Sequence, residues 1–142
     1  RFYIATGLVN AEHARKAAEV LRRNGHEQTY DWTTHGDIRH EGAERMSEVA
    51  FNELRAVRDA ELVDSPFVTG GQGTHTELGV ALATRSNKRI ILWSETGDEF
   101  AFDNRTCTFY FHPAAERVVC PFDELLEILN TDRIDSASNF AD

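Results

Sequence analysis

Short apolar runs alternate along this chain with longer segments whose apolar residues recur every three or four positions. That alternation restricts the fold more than any other feature. Phe2-Tyr3-Ile4-Ala5 is the first run and ends at Thr6-Gly7. Asn10 can cap a helix in which Ala14, Ala17, Ala18 and Leu21 form one face, and Gly25 can end it. Gln28 to Trp32 reads as a second strand, and Thr33 to Gly42 as a polar loop. From Ala43 a second helix is marked by Met46, Ala50, Leu54 and Val57. Leu62-Val63 opens a third strand, closed by Pro66. After the glycine-rich turn Thr69 to Thr74 a third helix carries Leu78, Ala81 and Leu82 inward. Ile90 to Trp93 is a fourth strand, and Thr108 to Phe111 or Arg117 to Cys120 supplies a fifth. Pro121 suits the first turn of a last helix with Leu125, Leu126 and Leu129.

This order predicts one α/β domain over residues 1–130, a five-stranded, mostly parallel sheet with helices on both faces, and a polar tail over 131–142. Ligands of such sheets sit beyond the carboxyl ends of the strands, where the strand order switches. The segments to inspect are therefore Thr6 to Asn10, Thr33 to Gly42 and Thr69 to Thr74.

A formal net charge of -9 argues against a nucleic-acid polymer or an anionic membrane as partner, because a polyanion is repelled. A small anionic ligand needs only a local nest of donors and stays open. No apolar run approaches the roughly 20 residues of a membrane span, and no signal peptide is expected ahead of the first strand. Cys107 and Cys120 lie in apolar, strand-like segments without metal-site spacing and read as buried thiols. A reducing, cytoplasmic setting fits them. His35, His40 and His75 do not make a metal set.

The stretch richest in chemistry is Gly70-Gly71-Gln72-Gly73-Thr74-His75-Thr76-Glu77-Leu78-Gly79. A glycine-rich loop running into a helix can bring backbone N–H groups to an anion. No Gly-Lys-Ser/Thr follows, so it is not a P-loop. Glu77 is expected in the first turn of the helix, where the dipole favours its ionised form. A carboxylate beside apolar Leu78 and Ala81 can attack a glycosyl carbon. The plainer reading is a first-turn charge that serves the helix alone.

Tyr3, Asn52-Glu53-Leu54 and the Gly73 to Gly79 segment together resemble the nucleoside 2-deoxyribosyltransferase family, including its relatives that hydrolyse nucleoside 5'-monophosphates. The resemblance covers Phe2 to about Asn130 and implies a flavodoxin-like three-layer sandwich. It implies that Glu77 is the nucleophile, forming a glycosyl ester, and that Tyr3 touches it; a core aromatic is the alternative for Tyr3. Glu53 stands where the family usually has an Asp that assists the departing base. Here it is one methylene longer, and a solvated helix charge is its alternative. Glu61 matches an acid at the entry to the third strand. Asn104 matches, across a loop of different length, an Asn that a neighbouring subunit contributes to the sugar site, with Asp103 beside it. The resemblance implies no metal and no cofactor, and a homodimer or higher oligomer with shared sites. Phe100, Phe102, Phe109 and Phe111 would be its anchors.

Other substrate contacts are expected from Thr6, Gly7, Asp31, Trp32, Gly71 and Gly73. Trp32 suits stacking on a base or covering the edge of the core; Asp31 suits a hydrogen bond to base or sugar, or plain solvation. The first loop, Thr6-Gly7-Leu8-Val9-Asn10, lacks the Ser and Arg of the monophosphate hydrolases. Gly71 replaces the hydrolases' Ser and the transferases' Asp. The expected substrate is thus a small nucleoside or nucleotide, with its base and 5'-substituent open. Two other functions compete: an NAD-cleaving or signal-binding module like the Toll/interleukin-receptor domains, and a non-catalytic nucleotide sensor.

Overall fold

The computed structural model describes residues 1–65, 71–84, 87–103 and 106–131. Four strands, β1 (Phe2–Ile4), β2 (Leu62–Ser65), β3 (Arg89–Ser94) and β4 (Ala115–Val119), form one sheet in the order β1-β2-β3-β4. Every pairing is parallel, with Tyr3 beside Val63, Val63 beside Ile90 and Ile90 beside Ala115. The helices are α1 (Ala11–Arg23), α2 (Ala43–Asp59), α3 (Gln72–Ala83) and α4 (Phe122–Thr131). α1 packs on α4 and α2 on α3, one pair on each side of the sheet. The residues of β1 and β3 are buried on both faces, Ile90 to Trp93 all lying inside, whereas the edge strand β4 is largely exposed.

Several expectations are met residue by residue. Ala14, Ala17, Ala18 and Leu21 are the buried face of α1. Gly25, at φ +85°, ends that helix, its N–H on the Arg22 carbonyl and the next N–H on that of Leu21. Leu78, Ala81 and Leu82 are buried on α3.

The second expected strand is not a strand among the described residues. Phe2 N–H donates to the Glu27 carbonyl and Thr29 N–H to that of Phe2, giving one parallel bridge, Phe2 to Gln28, on the outer edge of β1. The Asp31 carboxylate then accepts from the Thr33 N–H at 3.1 Å and its hydroxyl at 2.5 Å. This local cap turns the chain into a 3-10 turn at Trp32–Thr34 and stops the ladder. The sheet therefore has four strands plus a bridge, where five strands were expected. Thr108–Phe111 is a 3-10 turn, leaving β4 as the last strand. Pro121 stands just before α4, not inside its first turn.

Helix α2 buries only part of its expected face. Val57 is inside as expected, together with Val49 and Ala56, whereas Met46, Ala50 and Leu54 are exposed. Its C-terminal carbonyls are gathered by Lys88, whose ammonium donates to Val57, Arg58 and Ala60. Among the described residues no helix is long and apolar enough to cross a membrane. The chain leaves β1 towards the Gln28 edge and returns to add β2 on the other side. That switch of direction lies between β1 and β2.

Candidate active site

Tyr3 is the middle residue of β1, and its ring points at the α2–α3 layer. Its hydroxyl donates to Glu77 Oε1 at 2.5 Å in a buried contact. Glu77 lies on α3 in line with the buried residues Thr74, Leu78 and Ala81, and is itself only 7% exposed. A carboxyl in an apolar stripe loses its hydration, which favours the neutral form. Burial accordingly pushes Glu77 up to about 8, with the charge of Glu53 adding to the rise and the Tyr3 hydrogen bond opposing it. Tyr3 is raised well above the ordinary phenol, chiefly by burial and then by the Glu77 and Glu53 charges.

Glu77 is not in the first turn as expected. α3 starts at Gln72, inside the glycine-rich segment, so Glu77 is in the second turn, and no acidic residue occupies the first. The helix dipole fades within the first turn. The state of Glu77 is set by burial and by Tyr3.

Glu53 comes four positions after Val49 and three and four before Ala56 and Val57, so it shares the inward stripe of α2. Burial raises it above the ordinary carboxyl, with His35 pulling the other way. Tyr30 is raised by burial and by the Glu53 charge, among smaller influences. Glu77, Tyr3, Glu53, Tyr30 and His35 thus form one electrostatic cluster.

His35 was considered from the sequence only as a metal ligand. Its ring lies 5.9 Å from that of Tyr30. Nδ1 is 2.9 Å from the Gly36 carbonyl, which can only accept, so the proton is on Nδ1. Nε2 is buried and has no hydrogen-bond partner. A buried polar atom left so is uncommon, and this acceptor is suited to meet a donor on a substrate. A His among loop residues carries no spacing signal, so only the folded neighbourhood reveals it.

The remaining expected residues divide. The Thr6 hydroxyl is buried and accepts from the Asn10 side chain at 3.3 Å; Asn10 consequently makes no side-chain cap on α1. The Gly7 carbonyl accepts from Asn10 N–H and opens a 3-10 turn. Trp32 belongs to the core, its indole N–H on the Ile4 carbonyl at 2.8 Å, which matches the core-edge reading more than an open stacking face. Asp31 is engaged by Thr33 and by Arg22 at 3.1 Å. Gly71 and Gly73 are exposed, and a Cβ added at either meets nothing within 4 Å. No protein contact therefore requires glycine at those two positions. Asn104 lies outside the described residues, and Asp103 is exposed. Glu61 is held by the N-terminal ammonium at the opposite end of the sheet from the ligand edge. Cys120 is buried and Cys107 half-buried, both free. Among the described residues no three His, Cys, Asp or Glu side chains converge as a metal would need.

No family model and no curated protein sequence matches the chain. Among solved structures, that of the Clostridium botulinum CMP N-glycosidase BcmB is similar. Its TM-score is 0.58 at 19% identity, over 92% of this chain and 97% of that one. At that identity the likeness is one of fold: an α/β chain with a parallel sheet between two helical layers.

Proposed function

We propose that this protein cleaves the N-glycosidic bond of a nucleoside or nucleotide through a covalent ester on Glu77. The observation that carries the reading is the buried Glu77 carboxyl, held by the Tyr3 hydroxyl at 2.5 Å and electrostatically coupled to a second desolvated carboxyl, Glu53. Two carboxyls raised by the same dry site suit a division of labour in which one is neutral and one ionised. With one proton shared between the two carboxyls, the form in which Glu53 holds it is the reactive one, leaving Glu77 ionised as the nucleophile. A carboxylate oxygen of Glu77 attacks the anomeric carbon, the C–N bond breaks, and its electron pair leaves with the base, which takes the Glu53 proton. The Tyr3 hydrogen bond holds the attacking group in place and limits its basicity. Water or a second base then opens the ester from the other side and gives its proton to Glu53, restoring both carboxyls and the original sugar configuration.

The fold shared with a CMP N-glycosidase supports this reading, as does the resemblance of the Gly73 to Gly79 segment to the deoxyribosyltransferases. In this reading Thr6, Gly7, Gly71 and Gly73 would serve the sugar end of the substrate, and Asp31, Trp32 and His35 the base. Trp32 and the Phe-rich loop favour a dry site and transfer, while glycine at 71 leaves the sugar end open to water, so slow hydrolysis and faster exchange with an added base are both expected. A second copy of the chain, supplying Asn104, completes the site through the exposed rings of Phe102 (90% exposed) and Phe109 (61%). The test is incubation with a panel of nucleosides, nucleotides and NAD, followed by chromatography for free base or nicotinamide and by labelled-base incorporation. Release of a nucleobase that Glu77→Ala abolishes supports the proposal. Nicotinamide as the one product assigns the protein to NAD cleavage, and no release from any substrate leaves the nucleotide-sensor reading.

A further inference from the structure

Helix α3 opens on poor material. Gly71 occupies the N-cap and brings no capping side chain, and Gly73 follows two residues later. Glycine is among the weakest helix formers, so this turn needs outside support if the next one is to aim Glu77. That support comes from His75, two residues before Glu77 and on the outer side of the helix. His75 Nδ1 lies 3.1 Å from the Gly71 carbonyl. A carbonyl only accepts, so Nδ1 carries the proton and Nε2 offers a lone pair. Tyr110, 4% exposed, sits there with its hydroxyl 2.5 Å from Nε2 and its ring stacked on the imidazole at 5.6 Å. The Tyr110 carbonyl in turn accepts from Arg117 of β4 at 2.9 Å, and the Arg117 guanidinium covers the Phe111 ring at 4.6 Å. A continuous run of contacts thus joins the first turn of α3 to the edge strand of the sheet. Burial holds the Tyr110 hydroxyl up at about 12, with Cys107 and Glu99 adding to the rise, so it remains a donor at neutral pH.

We propose that His75 and Tyr110 act as a positioning clamp, fixing the glycine-rich turn of α3 so that Glu77 meets the anomeric carbon in line; this rests on Glu77 being the nucleophile. Neither residue touches substrate. A nucleophile displaced by a fraction of an ångström loses rate without losing binding.

The experiment is single-turnover base release, with KM and thermal midpoint measured alongside, in Tyr110→Phe, His75→Leu, their double variant and His75→Gln. Tyr110→Phe removes one oxygen and keeps the ring, so the fold survives it. The expected result is a loss of roughly 10-fold or more in the single-turnover rate for Tyr110→Phe and for His75→Leu, with KM little changed. The double variant should be no slower than His75→Leu, because that change already breaks the bond that Tyr110→Phe removes. His75→Gln keeps an acceptor for Tyr110 and should retain most of the rate. A merely structural pair would lower the thermal midpoint and leave the rate of the folded protein unchanged; that result, or losses that multiply in the double variant, overturns the clamp. Wild-type protein that releases no base overturns the glycosidase reading and the clamp with it. Active wild type with undiminished variants overturns the clamp alone.

Discussion

Glu77→Gln should give a dead protein that is more stable than its parent, by an amount that grows with pH. Glu77 goes from about 4.5 in the unfolded chain to about 8 in the fold because burial strips its hydration. Between those values the folded state binds the extra proton, so stability falls as pH rises. The contribution is fully present below pH 4.5 and is lost as pH climbs through 8. At about 1.36 kcal/mol for each tenfold change, holding the ionised carboxyl in this site costs about 5 kcal/mol above pH 8, and the loss has reached about 3 kcal/mol at pH 7. That is a large share of the roughly 5–15 kcal/mol that stabilises an ordinary domain. Glutamine has nearly the same shape and can still accept from Tyr3, but it does not ionise. Urea unfolding followed through the buried Trp32 and Trp93 measures both chains at pH 4, 7 and 9. The wild-type chain should lose about 5 kcal/mol relative to the variant across that range, most of it between pH 4.5 and 8. Glu53 is present in both, so its own titration largely cancels. A difference that stays constant within about 1 kcal/mol would show that Glu77 is hydrated in the fold, and the argument from its burial would fail.

Tyr3→Phe removes the one contact that lowers Glu77, so the acidic limb of the pH profile for base release should move to higher pH; an unmoved limb separates Tyr3 from the nucleophile. Glu53→Ala should slow release of a natural base by about 100-fold or more, and a leaving group that needs no proton should be spared most of that loss. Equal losses on both substrates would make Glu53 a structural residue. Phe102→Asp should weaken a dimer seen by sedimentation at micromolar concentration, since Phe102 is 90% exposed and stacks at 5.1 Å on Phe111; a fully active monomeric parent would contradict the shared site.

The helices and the alternation were legible because apolar period alone decides them: α1 and α3 bury the residues their spacing selects. The expectation failed where a polar side chain competed with the pattern. Gln28 to Trp32 has the composition of a strand, yet the Asp31 carboxylate captures the Thr33 N–H and ends the ladder after one bridge. On α2 the stripe through Met46, Ala50, Leu54 and Val57 is apolar, but of these only Val57 is buried; the helix turns Val49 and Ala56 inward, with the half-buried Glu53 between them. A reading by hydrophobicity avoids placing a carboxylate inside, and so turns the helix the wrong way. The same misfit recurs at Glu77, which interrupts the buried stripe of α3 and meets a tyrosine hydroxyl from β1. The resemblance placed Tyr3 beside it, as the structure does, while its burial was not legible in the sequence. The third member, His35, had no pattern at all, and only its buried, unpartnered Nε2 marks it. In each case a polar group sits where packing alone would have put a methyl. Natural sequences tend to break their own local rules at functional sites. The rotation of α2 and the misfit on α3 both turn carboxyls towards the Tyr3 hydroxyl, so the errors of a purely hydrophobic reading converge on one place in the fold.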